Sequence, residues 1–236
     1  MRKLIFTVLL PAIFLIDLSS CYAIKSSLSF DEKKLPDTLN TNKETVGFAY
    51  ASPIIKATGN QLYCPQQNIN IVTSISITDT NANAFYIQIS SGYNSAQDKL
   101  KLTGTHLKII ESWDVLTGKL TLKSKTGGNL SDAEFEAAIR DVQYYNSSAN
   151  PSGSRTFSIT FGDANYLPST QHYYQYIPSI GITWTAAKAA AETSSYYGIK
   201  GYLATILAAD EAQLVGEQAA GAGWIGGSDQ ETEGVW

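Results

Sequence analysis

Between about residues 47 and 161 apolar side chains recur at every second position, and this pattern constrains the fold more than any other feature of the chain. Ile69 and Ile71, Ile75 and Ile77, Phe85, Ile87 and Ile89, and Leu100 and Leu102 share a parity within each run. Leu107 and Ile109, Leu120 and Leu122, Val142 and Tyr144, and Phe157, Ile159 and Phe161 continue it. A period of two places such residues on one face of a strand, whereas a helix would need them at every third or fourth position. Turn formers separate the runs, as at Asp79 to Asn83, Ser91 to Asn94, Thr117-Gly118, Gly127 to Asn129 and Asn150 to Gly153. About seven short strands over about 110 residues predict a two-sheet antiparallel β-sandwich. One helix should interrupt it, because Ser131 and Glu134 form a capping box ahead of Phe135 and Ile139.

The chain ends differently. Residues 182–192 are rich in alanine and carry Trp184, which suits a helix, and 201–207 alternate like a strand. Residues 210–219 open on Asp210 and Glu211, as helix starts do. A run from Gly223 to Trp236 then places Trp224 and Ile225 before Gly226-Gly227 and an acidic loop. Asp229 and Glu233 in that loop are spaced i, i+4.

At the other end Arg2 and Lys3 precede an apolar stretch from Leu4 to Ile16, and Cys21-Tyr22-Ala23 forms a small-residue cleavage site, so 1–23 reads as a secretory leader. Leu18-Ser19-Ser20-Cys21 also resembles a lipobox, in which Cys21 would be lipidated and tether the protein to a membrane. Both readings export the protein. Residues 24–46 are polar and aperiodic, the composition of a linker. With Cys21 removed or lipidated, Cys64 is expected to be a lone thiol within the chain, buried or else paired with a cysteine beyond the fragment.

Charge and motifs narrow the function. A net charge of −4 supplies no basic patch for nucleic acid. The two histidines, His106 and His172, lie in no metal-ligand spacing, and no GxSxG, P-loop or GxGxxG run is present. Catalysis is therefore not expected. Oxygen-rich turns are the better candidates, since Ca²⁺ takes roughly six to eight oxygen ligands. Asp79, Asp98, Asp163, Asn165, Asp229 and Glu233 are the side chains available for this, each of which could equally cap its own turn.

Two resemblances sharpen these expectations. Phe161-Gly162-Asp163-Ala164-Asn165-Tyr166-Leu167-Pro168 is similar to the boundary that closes cadherin repeats. Thr117 to Leu122, Val142 to Asn146 and Arg155 to Ile159 resemble cadherin-like repeats of large bacterial surface proteins. That implies a spacer-type sandwich over 47–168, with Asp163 and Asn165 as possible Ca²⁺ ligands. Residues 172–236 resemble the first half of a C-type lectin-like domain, with Trp184, Ala187, Gly201, Leu203, Ala204, Glu211, Trp224, Ile225 and Gly226 on the family pattern. The family's helix cysteine is absent from Ala186 to Ala191, and the long loop that would follow Trp236 is absent too, so the chain reads as a fragment.

The resemblance implies that Asp229 and Glu233 match an auxiliary Ca²⁺ site and that the completed domain binds carbohydrate. The expected protein is mainly β with an α+β tail: leader 1–23, linker 24–46, sandwich 47–168, truncated lectin-like domain 172–236. It would be secreted to a bacterial cell surface, associated with the outer membrane, for recognition or adhesion. The alternative is a stalk or protein-binding scaffold without sugar binding.

Overall fold

The computed structural model describes residues 54–229 and 232–234, together with the backbone of 22–29. Most of the expected leader, residues 30–46 of the expected linker, and Gln230 and Glu231 of the acidic loop lie outside the described residues. In chain order the first strands are β1 (Tyr22–Ser29), β2 (Ile54–Tyr63), β3 (Ile69–Asn70), β4 (Ser74–Thr78) and β5 (Ala84–Ser91). β6 (Asp98–Leu102), β7 (Ile109–Asp114) and β8 (Lys119–Ser124) precede helix α1 (Asp132–Arg140), and β9 (Val142–Asn146) and β10 (Arg155–Thr160) follow it. Seven strands join in the order β4-β2-β1-β10-β5-β8-β7, and a smaller sheet runs β3-β9-β6.

The two sheets share one core. Ile55, Ile77, Ile87, Leu120 and Phe157 from the large sheet cluster with Leu100, Val142 and Tyr144 from the small one and with Phe135 and Ile139 of α1. β4 shows the expected alternation cleanly, since Ile75 and Ile77 are buried while Ser74, Ser76 and Thr78 face out. Tyr63, Tyr144 and Phe157 stack edge to face across the sandwich, at centroid separations of 5.0 and 5.5 Å. The capping box of α1 forms as its sequence requires: the Ser131 hydroxyl accepts from the Glu134 amide, and the Glu134 carboxylate accepts from the Ser131 amide. The helix is pinned to β4 at both ends of one turn, because Glu136 accepts from the Ile77 amide and Arg140 donates to the Ile75 carbonyl.

Several expectations need correction. The sandwich is antiparallel except between β1 and β10, which run parallel with Ile24 opposite Arg155. β1 occupies residues that composition marks as leader and linker: backbone hydrogen bonding to β2 and β10 orders 24–29 where side-chain hydrophobicity gives no reason to. Cys64 is not a lone thiol. It is disulfide-bonded, and the chain's other cysteine, Cys21, lies outside the described residues. Leu107 was assigned the inward parity of Ile109 but is 79% exposed, because β7 begins only at Ile109.

The later part keeps its helices and loses a strand. β11 (Asn165–Leu167) and β12 (His172–Tyr174) form a hairpin across the expected boundary at 168–172. α2 (Trp184–Thr193), β13 (Ser195–Tyr196), β14 (Ile199–Lys200) and α3 (Ala209–Ala212) follow, and α3 runs on as a π turn over Gln213–Glu217. The strand expected at 201–207 does not form; one backbone bond, from the Gly226 amide to the Ala204 carbonyl, joins that segment to the Trp224 loop. Its apolar residues find no sheet, with Tyr202 56% and Leu207 89% exposed. None of the residues of α2 is buried.

Asp98 closes one end of the sandwich. Its side chain is fully buried beside Arg155, whose Nε lies 2.6 Å from Oδ2. The remaining acceptor capacity is taken by the Tyr144 hydroxyl, the Asn146 amide group and the Asn94 backbone amide. Asn146 is fixed in turn by Tyr63, which donates to its carbonyl and accepts from its amide. Removing Arg155 would leave a buried carboxylate without its counter-charge, so Arg155→Ala should cost about 3–5 kcal/mol in urea unfolding. Asp98→Leu combined with Arg155→Met should recover most of that loss, and a single-variant loss under about 1 kcal/mol would show that the pair is not needed.

Candidate functional site

The four side chains singled out as Ca²⁺ ligands fall into two places. Asp229 is half-buried and Glu233 exposed in the loop after Trp224. Asp229 caps that loop, its Oδ2 accepting from the Gly234 amide at 3.2 Å. The arrangement offers two carboxylates from one turn, below the roughly six oxygens that Ca²⁺ needs. Asp163 is exposed beside the half-buried Asn165 at the start of β11. The cation this corner holds is an ammonium: Lys119 Nζ donates to the Asp163 carbonyl at 2.9 Å. Burial pushes the Lys119 pKa down, while Asp163 and Asp114 oppose the shift. The Asp163 carboxylate also meets the Gln175 amide at 3.5 Å. Among the described residues no group of three or more His, Cys, Asp or Glu side chains is gathered as a metal centre would require.

The acidic loop is held by a reciprocal pair of indoles. Trp184 Nε1 donates to the Ile225 carbonyl at 2.9 Å, and Trp224 Nε1 donates to the Ile182 carbonyl at 2.8 Å. Each tryptophan thus fixes the backbone next to the other, joining the start of α2 to the loop. Lys188 lies over the Trp184 ring, 5.4 Å from its centroid. Gly226 is needed there, since a Cβ would come within 2.6 Å of the Leu203 carbonyl oxygen.

Glu211 is the buried acid of this part. It accepts from the Leu207 amide at 2.7 Å and from the Tyr174 hydroxyl at 2.6 Å, joining α3, the segment before it and β12. These bonds, the Leu207 amide foremost, hold its pKa below the ordinary carboxylate range. His172 meets the Tyr202 hydroxyl at 3.5 Å, and His106 Nε2 lies 3.0 Å from Asp141. Asp79 occupies a left-handed turn at φ 56°, consistent with a turn former.

What the sequence did not foretell is how firmly the tail is seated on the sandwich. Gln218, 2% exposed, donates from Nε2 to the Ile89 and Thr117 carbonyls. Gln213 makes a two-way clasp, accepting from the Gly92 amide and donating to the Tyr93 carbonyl. Leu214 is buried between them. On the far side Tyr166, Tyr173, Tyr196, Tyr197 and Phe161 stack in a chain, with Tyr196 so close that a Cβ at Gly162 would lie 1.9 Å from its hydroxyl. Glutamines in a helical segment carry no pattern that distinguishes clasps from surface residues.

Comparison with known proteins gives one informative match. Over 159 residues, 64% of this chain, the sequence is 33% identical to halomucin of Haloquadratum walsbyi (strain DSM 16790 / HBSQ001). The match spans only 2% of that relative's length. No protein-family model matches the chain, and no solved structure matches it. Among the described residues no helix is long and apolar enough to cross a membrane.

The lowered carboxylates set an acid limit on stability. Glu134 in the capping box is held down to about 2, chiefly by its hydrogen bond from Lys108, and Glu211 is lowered from the same ordinary value of 4.5. A depressed folded-state pKa stabilises fully above the unfolded value and loses that contribution as protons bind to the folded state. The thermal midpoint should therefore fall as pH drops from 4.5 toward about 2. Glu211→Gln should flatten that slope, and an unchanged slope would refute the role given to Glu211.

Proposed function

We propose that this chain is part of an exported cell-surface protein that acts in recognition or adhesion rather than catalysis. The similarity to a protein named halomucin supports the cell-surface placement, and the leader motif at 1–23 supports export, with outer-membrane association as the bacterial setting. The observation that carries the recognition role is the reciprocal clasp of Trp184 and Trp224, which holds an acidic loop against α2 at the positions the C-type lectin-like pattern occupies. In this reading the lectin-like domain binds carbohydrate. Asp229 and Glu233 give two of its Ca²⁺ ligands, and further oxygens come from outside the described residues. Asp163 and Asn165 form at most a second, weaker corner, where Ca²⁺ competes with Lys119 for the Asp163 carbonyl.

A second reading is favoured by the clasp of Gln213 and Gln218 on the sandwich. Two units locked in this way suit a stalk or protein-binding scaffold, which needs stiffness more than a ligand. Calorimetry on the full-length gene product separates the two. Under the lectin-like reading, Asp229→Asn with Glu233→Gln removes one bound Ca²⁺, and a glycan array probed in Ca²⁺ gives signal that EDTA abolishes. Equal Ca²⁺ stoichiometry and affinity in the two proteins, with a silent array, would leave the scaffold.

A further inference from the structure

The outer face of the small sheet carries a groove that neither reading uses. Its volume is about 380 Å³, and it is lined by Asn68, Lys99, Lys101, Thr103, Gln143 and Tyr145. The strand period builds it. In β6, Asp98 and Leu100 point into the core, so Lys99 and Lys101 must point out. In β9, Val142, Tyr144 and Asn146 point in, so Gln143 and Tyr145 point out. The register sets Lys99 opposite Tyr145 and Lys101 opposite Gln143. Gln143 is held in place by donating to Asn70 Oδ1 at 3.0 Å, and Asn70 is itself anchored to the Arg140 carbonyl.

The electrostatics of this face oppose those of the chain, whose net charge is −4. Neither Lys99 nor Lys101 has an ion-pair partner among the described residues, and no acid lines the groove. Two acids lie beside the groove without pairing with its lysines among the described residues: Glu111 accepts from the Leu102 amide next to Lys101, and Asp141 accepts from His106 and, through its carbonyl, from Thr103, while Asp98 is buried on the opposite face. Two lysines stand on the same face of one strand, their Cα atoms roughly 7 Å apart. Beside them lie an aromatic ring and the lysine methylenes, which offer an apolar floor, and amide groups able to exchange hydrogen bonds with hydroxyls. A ligand that suits this set is extended, repeats its negative charge at intervals, and has both hydroxyls and an apolar ring face.

We infer that the β3-β9-β6 face binds an anionic polysaccharide, a run of carboxylated or sulfated sugars, with Lys99 and Lys101 meeting the anionic groups and Tyr145 stacking on a sugar ring. This site stands apart from the lectin-like loop and does not depend on Ca²⁺. The groove is shallow and its charges exposed, so affinity rests on repeated contacts along the chain and falls with salt.

The test is calorimetric titration of the full chain, in EDTA, with polymannuronate and chondroitin sulfate oligosaccharides and with neutral maltohexaose. EDTA silences Ca²⁺-dependent sugar binding, so failure here and failure of the lectin-like reading are told apart. The anionic oligosaccharides should bind and maltohexaose should not, and raising the salt should weaken binding. Lys99→Gln with Lys101→Gln should lower affinity about tenfold or more, since each lost charged hydrogen bond is worth roughly a factor of ten. Tyr145→Ser should lower it with the charges intact, and the thermal midpoints of both variants should match the wild type. Absence of binding, equal binding by the lysine variant, or equal binding of maltohexaose would overturn the proposal. So would phosphatidylglycerol vesicles or a single-stranded oligonucleotide binding as tightly as the sugars.

Discussion

The buried pair of Asp98 and Arg155 is the contact on which the sandwich turns. Asp98 is the first residue of β6 in the small sheet and Arg155 the first of β10 in the large one, so a single ion pair ties the two layers together where their strands begin. A charge in such a place is tolerated only when its hydrogen-bonding capacity is filled, and here four donors fill it. The network also reaches β2 through Tyr63, next to the bonded Cys64. Ion pairs of this kind add little net stability over apolar replacements, but the loss of one partner leaves an uncompensated buried charge.

The sandwich was largely legible in the sequence, and particular residues show why the rest was not. The parity of Ile75 and Ile77, of Leu120 and Leu122, and of Val142 and Tyr144 is their burial. β2 escaped because its inward residues include Ala57 and Gly59, too small to mark a hydrophobic face, and β1 because only its backbone pairing places it. Asp98 reads as a turn residue, yet a signal is present: it shares parity with Leu100, and Arg155 shares parity with Phe157 and Ile159. Opposite charges continuing two inward faces can be read as partners. The segment 201–207 shows the converse failure, since alternation predicts a strand only where another strand is present to receive it.

The candidate sites divide along the same line. Loop acids such as Asp229 and Asp163 are visible in a sequence as chemistry, but their contacts are those of turns and of a neighbouring lysine. The lysines of the outer face drew no notice because a charged residue at an outward position is the ordinary state of a strand. Only the absence of an ion-pair partner among the described residues, a property of the assembled sheet, distinguishes them.

The position of β1 bears on the order in which the large sheet can assemble. Its neighbours in the sheet are β2, some thirty residues on, and β10, whose Arg155 faces Ile24 across more than half the chain. A polypeptide that emerges amino end first delivers β1 at once and its second partner last. Until β10 arrives, the large sheet remains two unjoined halves with hydrogen-bonding edges open, and closure is a single late event that inserts β10 between β1 and β5. A chain built this way joins the halves of its large sheet only when β10 is in place.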